Sequence, residues 1–174
     1  ITINGLNDAP TVGDPPTLTV TEDDGAPQTL NLLEGADDVD TNDTLSVADL
    51  SGLPAGFTVE NGVVSFDPNL FNSLAVGEDD VVVLTYNVVD GNDGSAAQSA
   101  TITIEGVNDA PSVSGPITRT FAEDDATTTI SMLEGASDPD TNDTLGVANV
   151  VINGDTESAV TQSGTDLIVD PTAY

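Results

Sequence analysis

The chain has 174 residues, 31 of them acidic against a single base, Arg119, for a formal net charge of −30. Phosphate recognition needs Lys and Arg, so nucleic acid is excluded as a partner, and an anionic membrane surface is disfavoured on the same ground. There is no Cys and no His, which removes disulfides, ordinary zinc centres and Cys- or His-based nucleophilic chemistry.

In chain order, residues 1–5, Ile-Thr-Ile-Asn-Gly, read as the end of a strand running into a linker, Asn7-Asp8-Ala9-Pro10. The chain thus opens in mid-pattern, without a signal peptide, as an internal fragment would. Residues 17–21 alternate with period two and predict a strand that ends at Glu22-Asp23-Asp24. The loop Asp38-Val39-Asp40-Thr41-Asn42-Asp43 follows, and Asn61-Gly62 then signals a hairpin turn into a strand over 63–66. After Glu78-Asp79-Asp80, residues 81–89 form a β-branched run that stops at Asp90-Gly91-Asn92-Asp93-Gly94. Residues 100–104 alternate again before the linker Asn108-Asp109-Ala110-Pro111. Gly, Pro, Asn and Asp divide these runs at short spacing, no segment holds a helical period, and no apolar run is long enough to span a bilayer. With four Phe, two Tyr and no Trp, the core must be built from Val, Ile, Leu and Ala.

The pattern repeats. Asn7-Asp8-Ala9-Pro10 returns as Asn108-Asp109-Ala110-Pro111, Glu22-Asp23-Asp24 as Glu123-Asp124-Asp125, and Leu33-Glu34-Gly35-Ala36 as Leu133-Glu134-Gly135-Ala136. Asp40 through Leu45 return as Asp140 through Leu145, and Asp67-Pro68 as Asp170-Pro171. So many matches in one order define a tandem repeat. Residues 1–10 are then the last strand and linker of a preceding repeat, 11–107 one complete repeat, and 108–174 the N-terminal part of the next, without its last two strands. About 95 residues with roughly seven strands predict an immunoglobulin-like β-sandwich, here in tandem with the second domain incomplete. A β-domain short of its final strands has an open sheet edge, which a strand over residues 1–3 of a neighbouring molecule could fill.

A compact chain this acidic repels itself, so high external salt, bound cations or both must offset its charge. The loop at Asp38 and Asp40 and its copy at Asp138 and Asp140 bear on which. Calcium takes six to eight oxygens, and alternate Asp side chains in a loop converge on one ion. The loop opens like an EF-hand and then departs from it: Asp43 or Asp143 replaces the glycine of the sixth position, and no Glu stands at the twelfth. A polar turn with Asx caps is the plainer reading of such a loop. The recurrence of the cluster with other acids at matching positions favours the metal. Glu22, Glu78 and Asp80 sit beside predicted strands, where each alone is compatible with solvated turn charge. Asp90 is equally a hairpin residue and a ligand source. Asn42-Asp43-Thr44 and its copy fit the N-glycosylation pattern, which we discount inside a metal loop.

Together these residues resemble the cadherin-like repeats of bacterial surface proteins, including the VCBS-type repeats of large repeats-in-toxin (RTX) adhesins. The C-terminal half of the resemblance is carried by Leu84 through Gly94 and by Thr101 through Pro111. It covers the whole chain. The resemblance implies calcium bound at the junction between successive domains. Carried over by position, Asn108 and Asp109 resemble linker ligands, Asp138 and Asp140 the DxD pair of the following domain, and Glu22 the first-strand glutamate of the preceding one. Glu78 and Asp80 stand at the place of an acidic DRE-type motif whose arginine is absent here. The upstream junction would use Asn7 and Asp8 with Asp38, Asp40 and Asp90.

The implied role is a calcium-rigidified spacer of a bacterial cell-surface adhesin, extracellular, acting in cell adhesion and biofilm. Its partners would be neighbouring repeats in the same chain, with surface polysaccharide or another copy of itself as further candidates and no direct membrane insertion. A calcium-dependent carbohydrate-binding module is the alternative, against which stands the scarcity of aromatic rings for a sugar platform. Paired carboxylates could in principle hydrolyse glycosides, but no cleft-forming segment is visible, so no enzyme is expected.

Overall fold

A computed structural model describes residues 1–153 and 159–173, and the chain divides into two units, Ile1–Asn108 and Asp109–Tyr174. The division falls inside the second Asn-Asp-Ala-Pro segment.

Unit 1 is all-β. Its strands are β1 (Thr17–Thr21), β2 (Gln28–Asn31), β3 (Ser46–Ser51), β4 (Thr58–Glu60), β5 (Val63–Phe66), β6 (Asp79–Val89) and β7 (Ser95–Glu105). They form a four-stranded sheet in the order β1-β7-β6-β3 and a three-stranded sheet in the order β2-β5-β4. All pairings are antiparallel except β1 with β7, which runs parallel from Thr17 opposite Thr101 to Thr21 opposite Glu105.

Period-two alternation sets the inner faces. On β6, Val82, Leu84, Tyr86 and Val88 are buried while Val81, Val83 and Thr85 face out. On β7, Ala100, Ile102 and Ile104 are buried. These pack against Leu30 of β2 and Val64 and Phe66 of β5, so one apolar core joins the two sheets as a sandwich. The Tyr86 hydroxyl donates to the carbonyl of Leu32 at 2.7 Å, tying β6 to the end of β2. Phe57 stacks on Phe66 with ring centroids 4.4 Å apart. The β4–β5 turn needs two consecutive left-handed residues, which Asn61 (φ 51°) and Gly62 (φ 76°) supply.

Residues 1–10 have no regular secondary structure, and Ile1 and Ile3 are fully exposed. The sequence Ile1-Thr2-Ile3 repeats Ile102-Thr103-Ile104 of β7, and in unit 1 the place between β1 and β6 is held by β7 itself.

Unit 2 contains β8 (Ser112–Val113), β9 (Thr128–Ser131), β10 (Ala136–Ser137), β11 (Val160–Ser163) and β12 (Asp166–Val169). The order β11-β12-β9 reproduces β4-β5-β2 in the same register: Ile130 opposes Leu167 as Leu30 opposes Val64. The short pairing of β8 with β10 repeats the bridge between Thr11 and Asp37. A one-turn 3-10 helix follows the inner strand in both units. It is capped by Asp67, which accepts from Asn69 N at 3.0 Å, and by Asp170, which accepts from Thr172 N at 3.2 Å. Among the described residues nothing in unit 2 corresponds to the four-stranded sheet, and no α-helix occurs in either unit.

Candidate metal centre

The loop between β2 and β3 carries Asp38, Asp40 and Asp43. Local hydrogen bonds fold it back on itself: Asp40 N donates to Asp38 Oδ1 at 2.9 Å, and Asp43 N to the Asp40 carbonyl at 3.0 Å. This Asx geometry places one carboxylate oxygen of each aspartate within 4.8 Å of the others. Two distant segments are fastened to it. From the N-terminal linker, Asp8 N donates to Asp40 Oδ2 at 2.8 Å. From the β6–β7 turn, the Asn92 side-chain amide donates to Asp43 Oδ1 at 2.8 Å.

Asp90 closes the same end of unit 1. It is 3% exposed and accepts from the Asn7 side-chain amide (2.9 Å), Asn92 N (2.7 Å) and Gly94 N (3.0 Å). The Asn7 amide first, and the Asn92 backbone amide after it, hold the Asp90 carboxyl below the usual carboxylate range. Gly94 is required here for space: a Cβ would collide with the Asp90 carboxylate and stand 3.0 Å from Ala9 Cα. Five of the residues expected at the upstream junction, Asn7, Asp8, Asp38, Asp40 and Asp90, thus lie in one hydrogen-bonded assembly with Asp43 and Asn92.

Two oxygens of this assembly, Asp38 Oδ2 and Asp43 Oδ2, are buried and accept no hydrogen bond. An orphaned, desolvated carboxylate oxygen is costly, and three carboxylates this close repel by up to about 3 kcal/mol per pair at an effective dielectric of about 20. The donor set is all oxygen and anionic, with lone pairs turned away from water. That fits a hard divalent cation such as calcium.

Unit 2 repeats the loop. Asp140 N donates to Asp138 Oδ1 at 3.1 Å, Asp143 N to the Asp140 carbonyl at 3.2 Å, and Asp109 N to Asp140 Oδ2 at 3.0 Å. Oxygens of Asp138, Asp140 and Asp143 again lie within 4.8 Å of one another. Asp140 is 2% exposed, and its Oδ1 is buried without a partner.

The other acids are placed differently. Glu22, at the end of β1, is fully buried in unit 1 and accepts from Val107 N at 2.9 Å and Leu74 N at 3.2 Å. Its neighbour Asp24 is a turn cap that accepts from Thr21 N at 2.8 Å. Glu78 accepts from Ala75 N at 3.1 Å, and its carbonyl accepts from Gly106 N at 2.8 Å. Asp80 is exposed on β6 opposite Ile104. Neither Glu78 nor Asp80 belongs to a trio of converging carboxylates among the described residues. Asn108 is exposed and Asp109 half-buried.

Asp43 and Asp143, which in the sequence stand out only as departures from an EF-hand, are members of the clusters. Their recurrence at one spacing was the available signal. Asn92 and Gly94 were read as turn residues, and no pattern in the sequence marks their contact with Asp43 and Asp90.

The two-sheet all-β sandwich is that of an immunoglobulin-like or cadherin-like domain, and the sequence comparison agrees. The profile of the Cadherin-like domain family matches residues 6–105. The chain belongs to that family, whose fold is non-enzymatic and whose members are typically extracellular and generally bind calcium. No curated protein sequence matches the chain significantly. Solved structures with a similar fold include the human desmocollin-1 ectodomain (14% identity, TM-score 0.49, covering 95% of this chain and 31% of that one). Another is the extracellular cadherin domains 1–4 of protocadherin gamma B7 (20% identity, TM-score 0.40, 92% and 42%). This chain spans less than half the length of either. No helix among the described residues is long and apolar enough to cross a membrane.

Proposed function

We propose that the chain is a calcium-rigidified spacer repeat of a bacterial cell-surface adhesin. The observation that carries this reading is the pair of buried, partnerless oxygens, Asp38 Oδ2 and Asp43 Oδ2, inside a converging trio of aspartates, with Asp140 Oδ1 in the copy. Asp38, Asp40 and Asp43 would hold the ion, with Asp90, Asn7 and Asp8 fastened around them. Asp138, Asp140 and Asp143 would do the same in the next repeat, with Asn108 and Asp109 in the linker and Glu22, Glu78 and Asp80 contributed by the repeat before.

The chain's own residues supply the mechanism. The clustered carboxylates repel one another, and the hydrogen bonds from Asp8, Asn7 and Asn92 hold them together at a cost. A dication held by these carboxylates would offset that repulsion. The linker backbone already bonds to the ligand loop, Asp8 N donating to Asp40 Oδ2, so residues that would hold the ion would also hold the linker to the domain end. Repeats joined by locked linkers make a rod. Because the ion binds the folded loop and not the unfolded chain, binding adds stability, about 2.7 kcal/mol when calcium stands at 100 times its dissociation constant.

The test is thermal unfolding and small-angle scattering of the chain in calcium and in chelator. The melting temperature should fall by several degrees in chelator and the maximum dimension should become broadly distributed. Asp40→Asn should remove most of the calcium response while leaving the chelated protein as stable as before, or slightly more so. Identical melting and scattering in the two conditions would sink the reading.

A further inference from the structure

Tension along the chain would enter unit 1 upstream of β1, its first strand, and leave it downstream of β7, its last. These two strands are neighbours and run parallel, from Thr17 opposite Thr101 to Thr21 opposite Glu105. Pulled from the two ends of the unit, parallel neighbours are drawn past each other lengthwise. The ladder bonds run across that direction, so they are loaded together. In an antiparallel pair both exits would lie at one end, and the bonds would open one at a time. On its other side β7 is held by β6 over eleven residue pairs, from Asp79 opposite Glu105 to Val89 opposite Ser95. The ladder between β1 and β7 is therefore where the load falls.

Hydrogen bonds close this ladder at both ends. Thr101 N donates to the Pro16 carbonyl at 3.0 Å, and Glu22 N donates to the Glu105 carbonyl at 3.0 Å. Beyond the ladder, the fully buried Glu22 carboxylate accepts from Val107 N at 2.9 Å and Leu74 N at 3.2 Å. Val107 lies where the chain leaves β7, so Glu22 grips β7 at its exit. An ionised acceptor makes the stronger kind of hydrogen bond, and burial keeps water from competing for the amides. The contacts of the N-terminal segment lie upstream on the same path: Asn7 with Asp90, Asp8 with Asp40, and Thr11 with Asp37.

We propose that unit 1 bears tension along the chain, with the parallel β1–β7 ladder as its mechanical clamp and Glu22 as the bolt that fastens β1 to the exit of β7. The source of the load rests on the spacer reading above, whereas the clamp is made within unit 1 and requires no ion. The residues that would hold calcium at Asp38, Asp40 and Asp90 are bonded upstream of the clamp, so load reaches them separately.

The test is optical-tweezer stretching of the full 174-residue chain in chelator. The chain has no Cys, so two introduced thiols fix the points of attachment. D14C/N108C loads the ladder lengthwise and bypasses the upstream contacts. D23C/N108C attaches at the end where Thr21 meets Glu105 and opens the ladder bond by bond. All three positions are exposed. At one fixed force the first pair should outlive the second by about a hundredfold or more, since several hydrogen bonds fail together rather than singly. In the D14C/N108C geometry, E22A should shorten the lifetime by about tenfold to a hundredfold, and E22Q, which keeps one acceptor oxygen, by less. V64A, a truncation in the opposite sheet, should lower the melting temperature yet leave that lifetime within about threefold of the parent. Equal lifetimes in the two geometries would overturn the proposal. So would a V64A loss as large as that of E22A, because the lifetime would then report global stability alone. Should E22A fail to fold, the contrast between attachment points still decides, since it keeps every clamp residue in place. A clamp that holds in chelator while calcium leaves melting and scattering unchanged supports this inference and counts only against calcium.

Discussion

Units 1 and 2 share a repeat sequence and a three-stranded sheet; in unit 1 a four-stranded sheet closes the sandwich, and among the described residues of unit 2 only the three-stranded sheet and the short β8–β10 pair are present. Of the sixteen fully buried hydrophobic side chains among the described residues, fourteen belong to unit 1 and two, Ala159 and Val169, to unit 2. The residues concerned are of similar kind: Leu30 and Ile130, or Val64 and Leu167, oppose one another in identical register. What differs is β6 and β7, which bring eleven residue pairs of antiparallel ladder and the inner face of Val82, Leu84, Tyr86, Ala100, Ile102 and Ile104. The comparison teaches that local register is set within each three-stranded sheet, whereas burial comes from the opposite layer. By contrast, the aspartate loops are alike in both units, because their geometry comes from bonds within the loop and to the linker.

The largest expected effect breaks that comparison at the core. Ile102→Ala should destabilise unit 1 by about 2–5 kcal/mol, as truncation of a fully buried aliphatic does. Leu167→Ala at the half-buried position of unit 2 should cost much less and leave the unit 1 transition untouched. Urea unfolding followed by tyrosine fluorescence in a Tyr174→Phe background, where Tyr86 of the unit 1 core is the sole reporter, separates the two.

A smaller effect concerns the paired glutamates. Glu22 satisfies the amides of Leu74 and Val107 in a fully buried position, whereas Glu123 is exposed. Glu22→Ala should cost about 1–3 kcal/mol for each amide left unpaired. Glu123→Ala should fall within about 0.5 kcal/mol of the parent. Equal losses at the two positions would mean that the exposed glutamate has a role its surroundings in unit 2 do not show.

The smallest effect is on acid stability, measured in chelator. The Asp90 carboxyl titrates below its unfolded value of about 3.9 because Asn7 and Asn92 donate to its charged form. Its contribution to stability is therefore fully present above about pH 4 and is lost as pH falls through the lower native value. Asp90→Asn should flatten that acid limb of the stability profile and leave the neutral plateau less stable. Acid unfolding curves that superimpose for parent and variant would remove Asp90 from the account.

The sequence by itself determined the repeat, the all-β class and most strand positions, because period-two alternation, the Asn61-Gly62 turn and the matched Asp-Pro caps are local signals. It also picked out the aspartate loops, since alternate acids in a turn are legible in one dimension. It could not place Glu22 as an inward, backbone-bonded side chain beside Asp24 as a turn cap; both read as turn charge, and only the pairing of β1 with β7 separates them. The family resemblance grouped Asn7, Asp8, Asp38, Asp40 and Asp90, and only tertiary structure showed how they bond to one another and added Asp43 and Asn92 to the assembly. Those residues are up to 85 positions apart in the chain, and what joins them is the meeting of a linker, a loop and a hairpin turn at one end of the sandwich. The orphaned oxygens of Asp38 and Asp43 follow from that meeting. A lone pair's lack of a partner is a property of packing, and no sequence pattern records it.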